Sequence, residues 1–382
     1  MEKHLHIVCL NVPYPVDYGG VFDLFYKLPA LKQQGIKIHL HCFDYGRGQQ
    51  PVLNEYCENV YYYKRAQGLK GFSLKLPYIV TSRKNEELLN KLARDNHPIL
   101  MEGVHCTYVL NDPRFNKRKC FVRLHNVEYI YYKNLFVSSN SVIKKLYCLL
   151  ESRLLLPYEK SIANKAAFWS VTPKDAEVYR KLGCTYIEYL PLFLPDWKVK
   201  SQTGKGTFCL YQGDLSVAEN EKAAMWLLKE VFTDMGIPFV IAGKNPPARL
   251  FSIAEKKSNI CIVANPNEKE MQDMIEKAHI NIIPSFNNTG IKLKLINALF
   301  NGRYCLVNES TVKGTNLETA CHIASDANSF KSAIEYLFNQ PFTCKDIDVR
   351  HLLLDDMFNN EANAKKLVNA VWGEEENFSL TS

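Results

Sequence analysis

Short apolar runs alternate with longer segments of helical periodicity along most of the chain. This alternation is typical of parallel β-sheets that are covered by helices on both faces. In the first half it predicts strands at 4–10, 36–43, 58–63, 97–101, 119–124, 167–171 and 185–190. The helices predicted between them lie at 20–34, 84–95, 127–136, 140–165 and 173–182. The first half is therefore expected to form an α/β domain around a parallel sheet.

The pattern changes at a polar, glycine-containing stretch, 195–206, which is the best linker candidate. Beyond it the alternation restarts, with predicted strands at 207–212, 237–242, 259–263, 279–284 and 303–308. The helices predicted there lie at 219–234, 247–256, 268–277, 290–301, 327–339 and about 360–372. We expect a first domain at 1–198, a second at 205–355, and a closing segment at 356–382 whose helix could return to the first domain.

Two turns, one in each half, share one design. A turn that ends in Gly19 and Gly20 follows the first apolar run. In the second half the run 280–284 leads through Thr289 and Gly290 into a predicted helix. Backbone N–H groups at the start of a helix favour anions, so both turns are candidate phosphate sites. The two sheets are therefore expected to face a shared cleft.

Composition narrows the class of protein. The chain has 382 residues, a formal net charge of +7 and ordinary apolar and charged fractions, a composition typical of globular proteins and not of disordered or fibrous ones. The basic residues are spread over unrelated segments, and no nucleic-acid partner is expected. The 12 cysteines form no C-x-x-C pair, which favours a reducing cytosol. No apolar window is long enough to cross a bilayer, so any membrane contact should be peripheral.

Five short segments are distributed over nearly the whole length of the chain. They are 14–20 (YPVDYGG), 124–128 (LHNVE), 211–216 (YQGDLS) with Asn220, 240–243 (VIAG), and 284–302, which contains TGIKLKLINA. Together and in this order they resemble the glycosyltransferases of the GT-B fold. The resemblance is to the large group-1 (family 4) set, which builds bacterial surface polysaccharides.

The resemblance implies two Rossmann-like domains, with a nucleotide-sugar donor on the C-terminal one and the acceptor on the N-terminal one. It implies a metal-independent transfer, in most relatives with retention of configuration. No cofactor is expected beyond the nucleotide-sugar co-substrate. The expected acceptor is a glycan or a polyprenyl-linked glycan.

Some positions depart from the family pattern. The glutamate that binds the donor ribose in many members is replaced by Asn297, and a second acidic position by Asn287 or Asn288. After Gly213 the only nearby cation is Lys222, where many relatives have an Arg and a Lys for the diphosphate. A non-catalytic relative that binds nucleotide or glycan as a partner subunit is one alternative. A sugar-nucleotide epimerase is another, although the sequence has few of the acidic and histidine residues which that class needs.

Two residues are the candidate catalytic groups. His125 follows an apolar strand, at the carboxyl end where open sheets place ligands. The resemblance implies that it contacts the transferred sugar or the acceptor; the alternative is a structural histidine. By the same match Lys294, together with the amides of Thr289 and Gly290, would stabilise the leaving phosphate. If Lys292 is helical it points about 200° away from Lys294, so only one of the two lysines should reach the cleft.

The remaining candidate residues lie at strand ends and turns. The predicted acceptor site contains Asp17, Gly19, Gly20 and Glu102. The predicted donor site contains Gly213, Asn220, Gly243, Pro284, Ser285, Thr289, Gly290, Lys292 and Asn297. For the glycines, Pro284 and Ser285, plain turn geometry is an equal alternative, and Asp17 could equally cap its turn.

Basic and aromatic residues are interleaved at 61–65 and 70–78, and an amphipathic stretch lies at 142–150. Surfaces of this kind can meet anionic lipid headgroups, as a polyprenyl-linked acceptor would require. The alternative is core packing with a charged outer face. The expected location is the cytoplasm, with possible peripheral contact at the inner face of the membrane.

Overall fold

The computed structural model describes residues 2–139 and 141–373. The chain divides into two compact units. The first unit comprises the described residues up to Lys133, residues 147–196 and those from Phe358 onward. The second comprises residues 134–146 and 197–357. The first unit is therefore built from three stretches of chain, where the sequence predicted two.

The first unit contains a seven-stranded sheet in which every pairing is parallel. Its strands are β1 Lys3–Cys9, β2 Ile36–Asp44, β3 Asn59–Lys64, β4 Ile99–Glu102, β5 Cys120–Leu124, β6 Ala167–Ser170 and β7 Ile187–Tyr189. The helices along this stretch of chain are α1 Gly19–Gln33, α2 Tyr78–Thr81, α3 Glu86–Leu92, α4 Glu128–Ser138, α5 Val142–Ile162 and α6 Pro173–Lys181. Strands β4, β5 and β6 are buried along their whole length, because both faces of a parallel sheet are covered.

The second unit contains a six-stranded, all-parallel sheet. Its strands are β8 Cys209–Asp214, β9 Phe239–Lys244, β10 Ile260–Ala264, β11 Ile280–Ile283, β12 Tyr304–Val307 and β13 His322–Ile323. Its helices are α7 Ala218–Trp226, α8 Ala248–Ala254, α9 Glu268–Lys277, α10 Leu293–Asn301, α11 Glu309–Val312, α12 Ala327–Asn339 and α13 Cys344–Met357. A π-helical turn, Leu227–Val231, extends α7.

The last described helix, α14 Asn360–Trp372, belongs to the first unit. Its buried residues Ala364, Leu367, Val368 and Val371 join the core layer that α1 makes on one face of the first sheet. At its start the Asn360 side-chain amide donates to the carbonyl of Leu194 and accepts from the Leu194 N–H. The closing helix is thus tied to the first unit by packing and by paired hydrogen bonds.

Strand order positions the candidate site. The first sheet has the order β3-β2-β1-β4-β5-β6-β7, and the second β10-β9-β8-β11-β12-β13. The direction in which strands are added therefore reverses between β1 and β4, and between β8 and β11. Ligands of open parallel sheets bind outside the carboxyl ends of the strands at such reversal points. Each unit has one such point, and the predicted site residues cluster around both.

The structure confirms the two Rossmann-like sheets, and each predicted strand is present with its bounds shifted by no more than two residues. One helix boundary was wrong in a way that matters for the site: α10 begins at Leu293, not near Gly290. Helix α13 was not predicted, because in its mixed sequence only Arg350 and Leu354 are buried. In the described part of the chain no helix is long and apolar enough to cross a membrane.

Candidate functional site

In the first unit the turn after β1 closes tightly over α1. The Tyr14–Pro15 peptide bond is cis. The ring of Tyr18 covers Gly20, where an added Cβ would lie 2.6 Å from a ring carbon. A side chain at position 20 would therefore have to displace the exposed Tyr18 ring, while Gly19 is exposed at the first position of α1. The exposed carboxylate of Asp17 forms an ion pair with Arg47. Asp17 is therefore engaged with a side chain of its own unit.

A chain of buried charges runs beneath His125. The His125 Nε2 lies 3.1 Å from one oxygen of Glu102, and the Lys27 Nζ lies 2.5 Å from the other. The same Lys27 Nζ lies 3.0 Å from the Asp23 carboxylate, which Arg123 engages through two nitrogens at 3.0 Å. These four charged residues are at most 1% exposed, whereas His125 is partly exposed. The network therefore alternates in sign and ends at the one member that a ligand can reach.

The network keeps both carboxyl groups ionised. Burial alone would raise the pKa of Asp23, but the charges of Arg123 and Lys27 outweigh it and hold that pKa well below its ordinary value. Burial also acts to raise the pKa of Glu102, and the charge of Lys27 and the bond to His125 overcome it. A charged Glu102 fixes the orientation of the imidazole ring.

Glu102 was predicted to bind the acceptor, and the structure corrects this. Its side chain is 0% exposed, and its two oxygens are occupied by Lys27 and His125. Glu102 is instead a positioning residue for His125. The other members of the network, Asp23, Lys27 and Arg123, were not predicted at all. Charged residues inside apolar patterns, such as the arginine within the strand CFVRL, are the sequence feature that could have indicated them.

Ligand atoms of Asp23, Glu102 and His125 lie within 4.8 Å of one another, close enough to hold a metal ion. The ammonium group of Lys27 already bridges the two carboxylates. A dication there would have to displace a buried, fully paired lysine charge. These residues therefore do not fit a metal, and they fit the ion-pair network that is present.

In the second unit Lys294 lies in the first turn of α10. Its Nζ donates to the side-chain oxygen of Asn220 at 3.1 Å and lies 4.8 Å from the centre of the Tyr211 ring. The Asn220 amide in turn donates to the carbonyl of Asp214, at the end of β8. Among the described residues no carboxylate lies within ion-pair distance of Lys294. Burial lowers the pKa of Lys294 to about 8, although the charge of Glu219 acts in the opposite direction. This lysine is a cation held in place by neutral groups.

A second contact joins β11 to α7. The Ser285 hydroxyl donates to the Glu219 carboxylate at 2.6 Å, and the Ser285 N–H donates to the side chain of Asn308. Ser285 and Pro284 are both buried. Glu219 was not among the predicted site residues, yet it lies at the carboxyl edge of the sheet near Lys294. Its place in the first turn after β8 was the available sequence feature.

The predicted anion site around Thr289 and Gly290 needs correction. Helix α10 begins three residues after Gly290, which has a φ of +65° and lies in a loop. The Thr289 N–H is buried and donates to Asn287 Oδ1 at 3.2 Å. The Lys292 ammonium donates to the Thr289 carbonyl at 2.9 Å. The side chains of Asn287 and Lys292 thus brace this loop, and Lys292 precedes the helix, so the expected 200° separation from Lys294 does not apply.

The other predicted donor residues have structural partners too. An added Cβ at Gly243 would lie 1.8 Å from the carbonyl oxygen of Gly213, so close contact between β8 and β9 requires glycine there. At Gly213 an added Cβ would lie 3.1 Å from the Asn220 side chain. The Asn297 side chain accepts from Asn301 within α10 at 2.8 Å. These positions line or support the edge at which Lys294 lies.

No family model matches the chain. It is similar to an uncharacterized 44.6 kDa protein in the cps region of Klebsiella pneumoniae, at 26% identity over 362 residues, which cover 87% of this chain and 90% of that protein.

Solved structures are similar over almost the full length. One is a TarM variant from S. aureus in complex with Fondaparinux, α-GlcNAc-glycerol and UDP (TM-score 0.68, 11% identity, 97% of this chain and 100% of that one). Another is HepE from Anabaena with UDP and glucose (TM-score 0.65, 8% identity, 97% and 99%). A third is WaaG, a glycosyltransferase involved in lipopolysaccharide biosynthesis (TM-score 0.61, 12% identity, 97% and 100%). The chain therefore has the GT-B fold, as the sequence predicted.

Proposed function

We propose that this protein is a glycosyltransferase that transfers a sugar from a nucleotide-diphosphate sugar to a glycan or lipid-linked acceptor. The observation that carries the proposal is Lys294, a half-buried cation at the carboxyl edge of the second sheet without a carboxylate partner among the described residues. Similar folds occur in a named glycosyltransferase and in proteins crystallised with UDP, which supports the same class.

The donor diphosphate would lie against Lys294. As the bond between sugar and phosphate breaks, negative charge grows on the leaving phosphate, and a fixed ammonium group stabilises it. Asn220 and Tyr211 hold the lysine without neutralising it. The lysine would thus supply the charge that a divalent metal supplies in other transferases, and we propose a metal-independent reaction on this basis.

His125 would act on the sugar side of the reaction. Glu102 binds the ring through Nε2, which leaves Nδ1 for a hydroxyl of the transferred sugar or the acceptor. Because Glu102 is itself held by Lys27, the ring orientation is set by fully buried groups. Rigid support of this kind lowers the cost of positioning a substrate.

Nucleotide binding tests the donor site. UDP, GDP, dTDP and CMP are screened by thermal shift, and the affinity of the best nucleotide is then measured for Lys294→Ala. We expect affinity to fall by about 10- to 100-fold, the value of one charge-assisted contact. Lys313→Ala is the matched control, since that lysine is 67% exposed on the same unit. If no nucleotide stabilises the protein, the donor proposal fails.

Turnover tests the chemistry. With the sugar of the winning nucleotide, His125→Ala should lower turnover more than nucleotide affinity. Addition of EDTA should leave the rate unchanged if no metal takes part. The family resemblance leads us to propose retention of configuration, which the anomeric NMR signals of the product decide.

A second candidate, a nucleotide-binding partner subunit without catalysis, is favoured by one observation. Asn287 and Asn297 are amides at positions where many family members have carboxylates. The Asn287 side chain accepts from the Thr289 N–H and from Asn134, and the Asn297 side chain accepts from Asn301. Nucleotide binding without turnover, for every acceptor tried, would favour this role.

We also propose peripheral membrane contact through the start of α5. Val142, Ile143 and Leu146 are 71%, 82% and 63% exposed there, and Lys144 is exposed beside them. Apolar groups flanked by lysines suit an anionic bilayer, which would place the reaction at the cytoplasmic face. Flotation with anionic vesicles should recover the wild type but much less of Ile143→Asp. The control is Leu352→Asp, since that leucine is 81% exposed on a different helix. Equal recovery of all three proteins would refute the contact.

A further inference from the structure

The first unit carries an arginine that is buried without a counter-ion. Arg83 is 5% exposed. Its Nε and Nη2 donate to the carbonyl of Leu10 at 3.0 and 2.9 Å, and its Nη1 donates to the carbonyl of Ile79 at 2.7 Å. Within residues 2–139 and 141–373 no carboxylate forms an ion pair with it. Neutral carbonyls orient a guanidinium but leave its charge uncompensated, which is costly in a buried place.

A second arginine lies beside the first. The Arg65 Nε donates to the Ser82 hydroxyl at 3.1 Å, one residue before Arg83. Its guanidinium carbon lies 5.0 Å from the centre of the Tyr45 ring and 5.6 Å from that of Tyr78. Stacking on two tyrosines fixes the plane of the guanidinium without consuming its charge.

Two acids lie near this pair. Glu128 is buried, which raises its pKa to about 8 although the charge of Arg83 acts to lower it, and it forms no ion pair with Arg83. Glu151 is already engaged. Glu151 accepts the backbone N–H groups of Tyr78 and Ile79 at 3.0 and 2.8 Å, where it caps the start of α2. A carboxylate in that position offsets the positive end of the helix. It is therefore bound to the helix end and forms no ion pair with Arg65 or Arg83.

A third arginine contacts the same turn: the Arg47 Nη1 donates to the Pro15 carbonyl at 2.5 Å. The guanidinium carbon of Arg47 lies 5.0 Å from the centre of the Tyr18 ring, and Arg47 pairs with the exposed Asp17. The Tyr18 hydroxyl experiences the charges of both Arg47 and Arg83. Arg83 and Arg47 thus both contact the turn that links the end of β1 to the start of α1, and the charge of Arg65 lies near that of Arg83.

This turn lies at the point where strand order reverses in the first sheet, where a ligand is expected. A further polar group is enclosed close by: among the described residues the His105 Nδ1 is buried and has no hydrogen-bond partner. The charges of Arg83 and Arg65 both act on this imidazole. The site is therefore rich in positive charge and incompletely satisfied.

We propose that Arg47, Arg65 and Arg83 form an anion site that binds a phosphate or diphosphate group carried by the acceptor. Guanidinium groups match the geometry of phosphate oxygens and bind them through paired hydrogen bonds. That the ligand is an acceptor rests on the proposed transferase function. That the site binds phosphate rests on the arginines alone, so the two statements can fail separately.

Pyrophosphate is the probe, and calorimetry of the full chain is the measurement. All variants carry Lys294→Ala, so that the site in the second unit contributes little. We expect the further change Arg65→Gln with Arg83→Gln to weaken pyrophosphate binding by at least about tenfold. Arg114→Gln is the control, because that arginine is exposed and already pairs with Glu86 and Asp112. Unchanged affinity in the double arginine variant, or an equal loss in the control, would overturn the proposal.

Two further measurements complete the test. If Arg83→Gln prevents folding, Arg47→Gln with Arg65→Gln takes its place and the same tenfold loss is required. Geranyl diphosphate and a sugar 1-phosphate then distinguish a lipid-linked from a water-soluble source, and arginine-dependent binding of either supports the site. If no nucleotide binds the wild type, the transferase proposal fails. Arginine-dependent binding of pyrophosphate would still support the anion site.

Discussion

The first sheet carries a cluster of histidines whose protonation should oppose folding. His6 Nδ1 lies 2.8 Å from His41 Nε2, and His41 Nδ1 lies 2.8 Å from the Tyr63 hydroxyl. His6 also contacts Asp95 at 3.1 Å. Burial, only partly offset by Asp95, lowers the pKa of His6 to about 4, and burial together with His6 lowers that of His41 well below its ordinary value. Both rings are therefore neutral in the folded protein at moderately acid pH.

The size of the effect follows from linkage. A histidine in the unfolded chain is protonated near the ordinary pKa of about 6.5, whereas His6 in the folded protein is protonated only near its lowered pKa of about 4. The stability that depends on neutral His6 is thus fully present above pH 6.5 and is lost as the pH falls from 6.5 towards 4. Lowering the pH from about 7.5 to 5.5 should therefore reduce the free energy of unfolding by about 1.4 kcal/mol through His6.

Acidic groups act in the opposite direction over the same interval. Burial raises the pKa of Glu128 to about 8 and that of Glu159 to about 7, so both take up protons in the folded state as the pH falls. The total pH dependence of the wild type therefore mixes both contributions. The histidine contribution is isolated only in the difference between a variant and the wild type.

The assay compares His6→Gln with the wild type in urea at about pH 7.5 and 5.5. Hydrogen exchange of peptides from β1 and β2 reports the first unit. The variant can be more or less stable than the wild type at pH 7.5. On going to pH 5.5 we expect its free energy of unfolding to rise by about 1.4 kcal/mol relative to that of the wild type. Tyr63→Phe removes a hydrogen bond in the same cluster but no histidine. Its difference in stability from the wild type should therefore be the same at both pH values. A difference for His6→Gln that does not change with pH would refute the reasoning.

Three further outcomes follow from the contacts above. Lys27→Met leaves two buried carboxylates without their shared cation and should lower the free energy of unfolding of the first unit by about 3 kcal/mol in urea. Lys365→Met, which breaks an exposed pair with Glu361, should change it by less than about 0.5 kcal/mol. Equal effects of the two substitutions would contradict a buried network. Gly243→Ala forces β8 and β9 apart and should cost about 1–3 kcal/mol, while Gly236→Ala, which meets no atom within 4 Å, should be close to neutral in the same measurement. Because the pKa of Lys294 is about 8, its charge is lost above that pH, and affinity for a nucleoside diphosphate should fall about tenfold between pH 7 and 9; a Lys294→Met variant should lack this slope, and a wild type without it would show that the ammonium does not bind the diphosphate.

The linear sequence determined the elements and the sheets. Apolar runs of strand length can be buried only when neighbouring strands satisfy their backbone, so the alternation with helices predicted every strand of both units except the two-residue β13. The motifs also placed His125 and Ser285 at the carboxyl edges, because a residue that directly follows a parallel strand must lie there.

Only the tertiary structure decided which groups pair. Lys27 and Glu102 are 75 residues apart in the chain, and Asp23 and Arg123 are 100 apart, yet each pair meets beneath one strand edge. Spacing along the chain carries no information about such contacts, because they depend on strand order and on how each helix packs. The same reason explains why Glu102 supports His125 instead of facing the acceptor. It also explains why Arg83, which follows a short unpredicted helix, became visible as an uncompensated charge only in the folded chain.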